Sequence, residues 1–386
     1  MKLCRTLTPV QFSVINLRSS FATRIIAWYQ KHGRYDLPWQ NTHDPYRIWL
    51  SEIMLQQTQV SRAISYYTRF LKYYPDVNAL AAASLDEIMA LWSGLGYYSR
   101  AHNLYYCAQI IVKDHKGIFP IMPNELSKLP GIGRSTAAAI AAFAYGSRVA
   151  ILDGNVKRVL SRIFGVDGFL SEKHIENEMW MLAELLLPID TNDNSISSYT
   201  QGIMDFGATL CISRKPNCIN CPFIGDCVAQ LTGRQLELPA VRPKKKLPIR
   251  KTWMLLLCKR DMAVLLERRP PIGIWCGLWS LPEADTEMML IKRALQFGGE
   301  LQLIPLTPIT HIFTHFRLEI ELRLSKVDNT RPSCSEYKKY SSNIITHKTC
   351  EMQTAWVYLN SIDRYGMPAP IRKLLNSILT GAFKLC

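Results

Sequence analysis

Four cysteines with the spacing C-x6-C-x2-C-x5-C form the densest group of metal-binding side chains in the sequence: Cys211, Cys218, Cys221 and Cys227. Thiolates this close along the chain can surround one inorganic centre without ligands from elsewhere. Structural zinc sites usually combine two C-x2-C pairs across a longer spacer, whereas only one such pair is present here. The spacing therefore favours a [4Fe–4S] cluster, with a zinc site or unligated thiols as the alternatives.

Gly131 and Gly133, in the sequence LPGIG, form a second group with chemical potential. Two glycines one residue apart permit a tight turn whose N–H groups point at an anion, and the Ala-rich segment that follows has high helix propensity. The turn thus predicts a phosphate-binding helix N-terminus, with Gly146 as the C-cap of that helix. Asp153 follows Gly133 by 20 residues and could act beside a bound nucleic-acid backbone. The alternative is a helical hairpin in which the turn and Asp153 are only structural.

Helical patterning surrounds both groups from about residue 21 to residue 231. Apolar residues recur at helical spacing in segments such as IWLSEIMLQQTQV and HIENEMWMLAELLLP, and Gly33 is expected to end the first helix. Residues 232–251 are basic and rich in proline, which is typical of a linker. We therefore predict an all-α domain over residues 21–231 that includes the cysteine loop 211–227, preceded by an extension of unknown role over residues 1–20.

The remaining residues, 252–386, have the patterning of an α+β domain of about 135 residues. TWMLLLC and MAVLLER are typical of two strands of a hairpin. Residues 309–324 alternate between apolar and polar side chains, which predicts another strand, and PAPIRKLLNSILT predicts a closing helix. The predicted fold class is thus multidomain, with an all-α part followed by an α+β part.

The composition indicates a globular protein with a polyanionic partner. An excess of 46 Lys and Arg over 31 Asp and Glu gives a formal net charge of +15. This excess favours nucleic acid, although basic ribosomal and membrane-surface proteins share it. The sequence contains no run of 18 apolar residues and no secretory h-region, so we expect neither a membrane span nor secretion. An odd total of 11 cysteines then favours a reducing cytosol over a disulfide framework.

Six motifs in order along the chain carry a close resemblance to a known family. They are LPW at 37–39, SEIMLQQTQV at 51–60, GLGYY at 94–98, LPGIG at 129–133, DGNV at 153–156 and the four cysteines. Together they resemble the MutY-type adenine DNA glycosylases, a branch of the helix-hairpin-helix glycosylases that carry an iron–sulfur cluster. The resemblance extends from about residue 21 to the C-terminus.

The resemblance implies a monofunctional glycosylase in base excision repair, which hydrolyses the N-glycosidic bond of adenine mispaired with 8-oxoguanine or guanine and leaves an abasic site. Breaking this bond requires a carboxylic acid near the base and a carboxylate near the anomeric carbon. Glu52 lies in a mostly apolar helical segment, where desolvation should raise its pKa and keep it protonated. Gly154 and Asn155 offer N–H groups that should keep Asp153 ionised. A solvated helix residue and a helix cap are the respective alternatives.

Family positions imply a role for each of these side chains. Glu52 would protonate N7 of adenine and later activate water. Asp153 would stabilise the oxocarbenium ion or trap it covalently, and Asn155 would help to hold the site. In bifunctional relatives that resemble endonuclease III, a lysine two residues after the glycine turn attacks the sugar and leads to strand cleavage. Ser135 stands at that position, and a hydroxyl cannot form a Schiff base, so we expect a monofunctional glycosylase with little strand scission; weak lyase activity of Lys128 or Lys157, which lie nearby in sequence, is the alternative.

The resemblance also implies which residues contact the excised base and the opposing lesion. The base pocket would contain Arg34, Trp39, Ser135 and Gln201. The DNA and the lesion would be bound by Leu55, Gln57, Thr58, Tyr97, Gly131, Gly133 and the turn Phe313-Thr314-His315, where the family has Phe-Ser-His. Core packing is the alternative for Trp39, Tyr97 and Phe313.

The C-terminal domain looks like a Nudix fold because of LLERR at 265–269 and GLWSLPE at 277–283. The acidic helix of active Nudix hydrolases is missing, since residues 287–300 read EMMLIKRALQFGGE, and nothing there would hold Mg²⁺ against a pyrophosphate. We therefore expect a Nudix-like domain without hydrolase activity, and the resemblance implies that it recognises 8-oxoguanine opposite the adenine.

The complete prediction is a monomer with a structural [4Fe–4S] cluster in the bacterial cytoplasm, associated with the nucleoid through DNA binding. Its partner would be double-stranded DNA containing A:8-oxoguanine or A:G mispairs, and no membrane. Three alternatives stay open: an endonuclease III-like pyrimidine glycosylase with lyase activity, a lesion-binding module without catalysis, and an active Nudix pyrophosphohydrolase.

Overall fold

The computed structural model describes residues 17–189, 193–243, 246–327 and 353–382 of the 386-residue chain. The chain divides into two compact units. The helical unit comprises Met1–Ala81 and Tyr106–Lys244, and the mixed unit comprises Ala82–Tyr105 and Lys245–Cys386. The segment Ala82–Tyr105 therefore belongs with the C-terminal part of the chain, although helices flank it in the sequence.

Helices account for nearly all regular structure before residue 232. Those in the described residues are α1 Phe21–His32, α2 Pro45–Leu55, α3 Val60–Tyr73, α4 Val77–Ala82, α5 Leu85–Trp92, α6 Ser99–His115, α7 Pro123–Leu126, α8 Arg134–Tyr145, α9 Gly154–Phe164, α10 Lys173–Leu185, α11 Asp193–Asp205 and α12 Val228–Leu231. A π-helical turn, Phe206–Leu210, extends α11 towards the cysteines. The predicted helix ends at Gly33 and Gly146 are confirmed, and Gly146 adopts the left-handed conformation (φ 64°) that suits a glycine C-cap.

A cluster of aromatic rings forms the centre of the helical unit. The ring of Phe21 lies 5.6 Å from that of Phe164 and 5.0 Å from that of Phe223. All three side chains are fully buried, and each contributes about 1.5–3 kcal/mol of hydrophobic stabilisation. Because Phe223 lies between the third and fourth cysteines, this core anchors the cysteine loop.

An eight-stranded sheet organises the mixed unit. Its strands are β1 Ile249–Lys259, β2 Ala263–Arg268, β3 Trp279–Ser280, β4 Glu283–Ala284, β5 Ile304–Pro305, β6 Ile309–Ile312, β7 Arg317–Val327 and β8 Thr354–Tyr358. β1 pairs with β7 in parallel and with β2 in antiparallel orientation, so the predicted hairpin is confirmed. Helix α13, Glu287–Gln296, buries Leu290 and Ala294 against the apolar face of β1, and α14, Ala369–Leu379, is the predicted closing helix.

The prediction of one strand over residues 309–324 was wrong. The segment forms two antiparallel strands, β6 and β7, in which Ile312 pairs with Arg317. A turn lies between them and is closed by a hydrogen bond from the Phe313 N–H to the Phe316 carbonyl at 2.9 Å. Alternation of apolar and polar side chains continues through such a turn, and it therefore does not reveal the reversal of the chain.

Candidate active site

A cavity of about 710 Å³ in the helical unit brings the predicted catalytic and base-pocket residues together. Its walls come from the loop after α1, from α2, from the N-termini of α8 and α9, and from α11. The predicted residues that line it are Glu52, Asp153, Asn155, Arg34, Trp39, Ser135, Gln201, Leu55, Gln57 and Thr58. The volume lies in the usual range for small-molecule sites and can accommodate a purine nucleoside.

Glu52 reaches this cavity from the otherwise buried helix α2. Asp44 begins the helix by accepting a hydrogen bond from the Tyr46 N–H at 2.9 Å, and Pro45 occupies its first position. The neighbours Ser51 and Ile53 are buried, whereas Glu52 retains exposure through the cavity. Burial raises the pKa of Glu52 to about 7, and the negative charge of Asp153 contributes to this shift. The predicted direction of the pKa shift is thus reproduced.

Asp153 is the N-cap of α9 and also faces the cavity. Its carboxylate accepts a hydrogen bond from the Val156 N–H at 2.8 Å, so capping and exposure to the cavity occur in one residue. Ser135 fixes the preceding backbone, because its Oγ accepts a hydrogen bond from the Leu152 N–H at 2.9 Å. Burial raises the pKa of Asp153, whereas the N–H groups of Val156 and Asn155 and the charge of Arg158 favour its charged form.

The two carboxyl groups differ in what stabilises their charged forms. Asp153 has N–H donors and a nearby guanidinium, whereas Glu52 has burial and the charge of Asp153 against it. When the pair carries one proton, these surroundings favour the proton on Glu52 and the charge on Asp153. This arrangement provides an acid and an anion in one cavity.

Arg34 and Gln201 share a partner that the sequence does not reveal. The fully buried Asp205 accepts hydrogen bonds from the Arg34 Nη2 at 2.6 Å and the Gln201 Nε2 at 2.9 Å. The Arg34 backbone N–H donates to the second carboxylate oxygen at 2.9 Å. Asp205 thus fixes the positions of both predicted pocket residues, and removing it would leave the half-buried Arg34 charge without its partner.

Gln40 is a further cavity residue that sequence reasoning missed. Its amide nitrogen and oxygen are both buried, and neither has a hydrogen-bond partner in the part of the chain that the structure describes. The adjacent Trp39 is also buried and packs its ring 5.5 Å from that of Tyr67. Proximity to Trp39 in the sequence was the one available signal, since an isolated glutamine has no distinctive pattern.

The glycine turn precedes α8 as predicted. Gly131 has a φ of 77°, which favours glycine, and Gly133 is the N-cap of α8. A Cβ at Gly133 would meet no atom within 4 Å, so the turn faces open space. A phosphate could approach the first turn of α8 from this side.

The four cysteines line one small cavity together with Arg162 and Phe223. The Phe223 N–H donates to the Cys221 Sγ at 3.4 Å, and the Arg162 Nη1 donates to the Cys211 Sγ at 3.4 Å. Such donors stabilise thiolate charge around an iron–sulfur cluster. Within the described ranges, no group of three or more His, Cys, Asp or Glu side chains has the geometry of a metal-ion site. The cysteines surround a cavity, which fits a cluster whose irons each take a different cysteine.

Two arginines of helix α9 connect the cysteine loop to Asn155 and to the backbone around it. The Arg158 Nη2 donates to the Asn155 Oδ1 at 2.8 Å, and its Nε donates to the Cys211 carbonyl at 2.9 Å. One turn later, the buried Arg162 donates to the carbonyls of Leu238 at 2.9 Å and Ile212 at 2.8 Å. Asn155 is therefore held by the same helix that organises the first cysteine.

Arg162→Lys is expected to destabilise the helical unit by roughly 2–4 kcal/mol, because one ammonium group cannot serve several buried carbonyls arranged around a guanidinium. Thermal unfolding of the purified protein measures this loss. Arg24→Lys is the matched control, since Arg24 forms a partly exposed pair with Asp226 at 2.6 Å and such pairs contribute little. Equal melting temperatures for the two variants would contradict a structural role for Arg162.

The predicted lesion-binding residues of the C-terminal part lie in the mixed unit. Phe313 is half-buried between Trp275 at 5.3 Å and Phe316 at 4.6 Å, measured between ring centroids. Thr314 and His315 are exposed at the tip of the β6–β7 turn. Tyr97 is 44% exposed and has a positive φ of 48°, an uncommon conformation for a tyrosine.

Two glutamate–arginine pairs line one cavity of the mixed unit. Arg293 Nη1 contacts Glu267 Oε2 at 2.5 Å, and Arg269 pairs with Glu283. Thr252 donates a further hydrogen bond to Glu283 at 2.5 Å. Both carboxylates are therefore already paired with guanidinium groups, which opposes the pyrophosphohydrolase alternative.

Known proteins share both halves of this architecture. Residues 50–184 match the HhH-GPD superfamily of base excision DNA repair proteins, and residues 252–377 match the NUDIX domain. The solved structure of a thermostable thymine-DNA glycosylase superposes with a TM-score of 0.52 at 29% identity, covering 57% of this chain and 99% of that one. Fold and site thus define a helix-hairpin-helix DNA glycosylase, an enzyme that hydrolyses N-glycosidic bonds in DNA.

Two relatives show to which family within this class the chain belongs. The adenine DNA glycosylase of Buchnera aphidicola subsp. Acyrthosiphon pisum (strain APS) is 37% identical over 94% of this chain and 99% of that protein. The adenine DNA glycosylase of Mus musculus is 30% identical over 83% of this chain and 73% of that protein. The chain belongs to the adenine DNA glycosylase family, so the resemblance and the fold class predicted from the sequence are confirmed. Proteins with this fold typically hold a [4Fe–4S] cluster. No helix in the described ranges has the length and apolar character needed to cross a membrane.

Proposed function

We propose that the protein is a monofunctional adenine DNA glycosylase that excises adenine opposite 8-oxoguanine or guanine. One observation carries the proposal: Glu52 and Asp153 face a single cavity of nucleoside size, and Asp153 has N–H donors and a guanidinium that favour its charged form. Adenine must leave the duplex to reach this cavity. The full-length similarity to adenine DNA glycosylases supports adenine as the base.

The proposed reaction uses the two carboxyl groups in sequence. Glu52 donates its proton to N7 of adenine, so the base departs as a neutral leaving group. Asp153, as the anion, stabilises the positive charge that develops on the sugar or forms a covalent bond with the anomeric carbon. Glu52, now deprotonated, accepts a proton from water as the water attacks, which leaves an abasic site. Asn155 holds Asp153 in place through its N–H groups.

Strand cleavage is not part of the proposed reaction. The hydroxyl of Ser135 accepts a hydrogen bond from the Leu152 N–H and cannot form a Schiff base. Lys157, the lysine closest in sequence to Asp153 and Asn155, forms an ion pair with Glu176 at 3.2 Å. These contacts favour a glycosylase over the endonuclease III-like alternative.

The cofactor and the partner form part of the same proposal. Cys211, Cys218, Cys221 and Cys227 would hold a [4Fe–4S] cluster, which braces the loop in which Arg214 and Lys215 are exposed to solvent. The duplex partner carries an A:8-oxoguanine or A:G mispair, with Tyr97, Thr314 and His315 on the lesion side. We further propose a monomer in the bacterial cytoplasm.

The test is single-turnover cleavage of a labelled duplex with adenine opposite 8-oxoguanine, quenched with and without hot alkali. Strand breaks that require alkali are expected, because excision without lyase chemistry leaves an intact backbone at the abasic site. Equal breaks without alkali would instead establish a lyase. Tight binding without breaks under either condition would establish a lesion-binding module.

The excision rate is expected to depend on pH through Glu52. Its pKa of about 7 means that the protonated fraction falls as pH rises through 7, so the rate should decline about tenfold per pH unit on the alkaline side. On the acid side, protonation of Asp153 removes the anion, and the raised pKa of Asp153 places this decline above the usual range of an aspartate. A single-turnover pH–rate profile should therefore be bell-shaped, and a rate independent of pH through neutrality would contradict the acid role.

A further inference from the structure

The loop of residues 93–98, SGLGYY, connects α5 to α6 and presents Tyr97 to solvent. Its backbone is left-handed at Gly94 (φ 95°), Gly96 (φ 84°) and Tyr97 (φ 48°). A non-glycine residue in this region is held there only by its surroundings. The Gly96 carbonyl accepts hydrogen bonds from the Trp92 Nε1 and the Arg100 Nη2, both at 3.1 Å.

The next residue, Tyr98, connects this loop to the C-terminal end of the same unit. Its buried hydroxyl donates to the Met367 carbonyl at 2.8 Å and accepts a hydrogen bond from the Gly94 N–H at 3.2 Å. Met367 lies between the 3₁₀ helix Leu359–Arg364 and α14. The Tyr98 hydroxyl therefore bridges two parts of the loop, Tyr98 and Gly94, and also binds the loop to the C-terminal segment.

A second contact attaches the start of the loop to the same carbonyl. The Ser93 Oγ donates to the Met367 carbonyl at 3.1 Å and accepts a hydrogen bond from the Arg372 Nε at 2.9 Å. Close packing accompanies these bonds, since a Cβ at Gly366 would lie 2.7 Å from the Cβ of Met89 in α5. The C-terminal segment thus contacts both ends of the 93–98 loop.

We propose that Tyr98 is a positioning residue for lesion binding, which transmits the position of the C-terminal segment around Met367 to the exposed ring of Tyr97. The inference rests on the proposed function, in which Tyr97 lies on the lesion side of the mispair. The C-terminal part then has two roles: it contacts the lesion through the β6–β7 turn, and it holds Tyr97 in its left-handed conformation. Tyr98 itself contacts neither base.

Tyr98→Phe tests this role because it keeps the packed ring and removes only the hydroxyl. The probe is a duplex with 8-oxoguanine opposite a carbocyclic adenosine analogue, which binds but cannot form an oxocarbenium ion. We expect affinity to fall about tenfold, as two hydrogen bonds are lost, with an unchanged single-turnover rate on the natural substrate at saturating enzyme. Unchanged affinity would overturn the proposal, and so would a matching fall in the saturated rate.

Tyr46→Phe is the matched control. The buried hydroxyl of Tyr46 donates to the Tyr74 carbonyl at 2.7 Å, so this variant loses a similar bond in the helical unit, outside the cavity lining. It should lower thermal stability to a similar extent without changing affinity for the duplex. An equal loss of affinity in Tyr46→Phe would mean that Tyr98 acts only through general stability.

A double-mutant cycle with Tyr97→Ala shows whether Tyr98 acts through its neighbour. In the Tyr97→Ala background, Tyr98→Phe should have no further effect on affinity, whereas a persisting tenfold effect would overturn the proposal. The rate of hydrogen exchange at the Gly94 amide can be measured without DNA or activity. This rate should increase in Tyr98→Phe, because the Gly94 N–H loses its acceptor. If Tyr97→Ala alone leaves affinity unchanged, the role of Tyr97 at the lesion is wrong and this inference falls with it, whereas adenine excision is judged separately by the alkali assay.

Discussion

Glu52→Gln is expected to slow single-turnover excision of adenine by about 10²–10⁴-fold, the usual contribution of a general acid. Glutamine has nearly the same shape, but its amide cannot protonate N7 of the departing base. Burial raises the pKa of Glu52 to about 7, so wild-type enzyme carries this proton near neutral pH and the variant never does. Binding of the mispaired duplex should change by no more than about threefold, because the cavity keeps its shape.

Glu178→Gln is the control for this experiment. Glu178 is a half-buried glutamate on α10 that does not line the cavity, so the same chemical change there should leave the rate unaltered. Excision by Glu52→Gln at close to the wild-type rate would remove Glu52 from the acid role. A loss of rate together with a large loss of duplex binding would point to a disturbed cavity instead.

Asp153→Asn is expected to reduce the same rate by about 10²–10³-fold while preserving the fold. Asparagine caps a helix as well as aspartate does, and its carbonyl oxygen can still accept the hydrogen bond from the Val156 N–H. The variant therefore removes the negative charge near the developing oxocarbenium ion and little else. Asp153→Ala should lose about 1 kcal/mol of stability in addition, because it also removes the cap.

The pH profile of Asp153→Asn gives an independent check. The charge of Asp153 helps to raise the pKa of Glu52, so its removal should lower that pKa. The residual activity should then begin to decline at a lower pH than in the wild type. The free energy of unfolding should stay within about 0.5 kcal/mol of the wild-type value. A near-normal excision rate in Asp153→Asn would contradict the proposed role of the Asp153 negative charge, because the amide dipole of asparagine would then stabilise the oxocarbenium ion equally well.

Features of the candidate site were predictable where the environment of a side chain is set by its neighbours along the chain. Glu52 lies within an apolar helix, and the neighbours along that helix are enough to indicate burial and a raised pKa. Asp153 was harder, because its N–H donors are adjacent in sequence whereas its burial depends on elements far along the chain. The Asn155 donor was therefore foreseen, whereas the Val156 donor and the effect of burial on the pKa of Asp153 were not.

Long-range partners were the part that no local pattern could reveal. Asp205 lies 171 residues from Arg34 and resembles any acidic residue on a helix until the fold brings the two together. The Gln40 amide, which has no hydrogen-bond partner among the described residues, is likewise a property of the folded cavity. The same holds for Ala82–Tyr105, whose helical sequence does not show that it associates with the C-terminal part.

The glutamate–arginine pairs of the Nudix-like mixed unit have a consequence for which inorganic ions the protein needs in order to fold. Arg293 and Arg269 are covalently attached counter-ions for Glu267 and Glu283, and a dissolved magnesium ion would have to displace them to bind there. We therefore expect the folding of the mixed unit not to require magnesium. With a cluster at its four cysteines, the other half depends on the delivery of iron and sulfide. A cell short of iron would then lose the excising half first, although both halves are translated as one polypeptide.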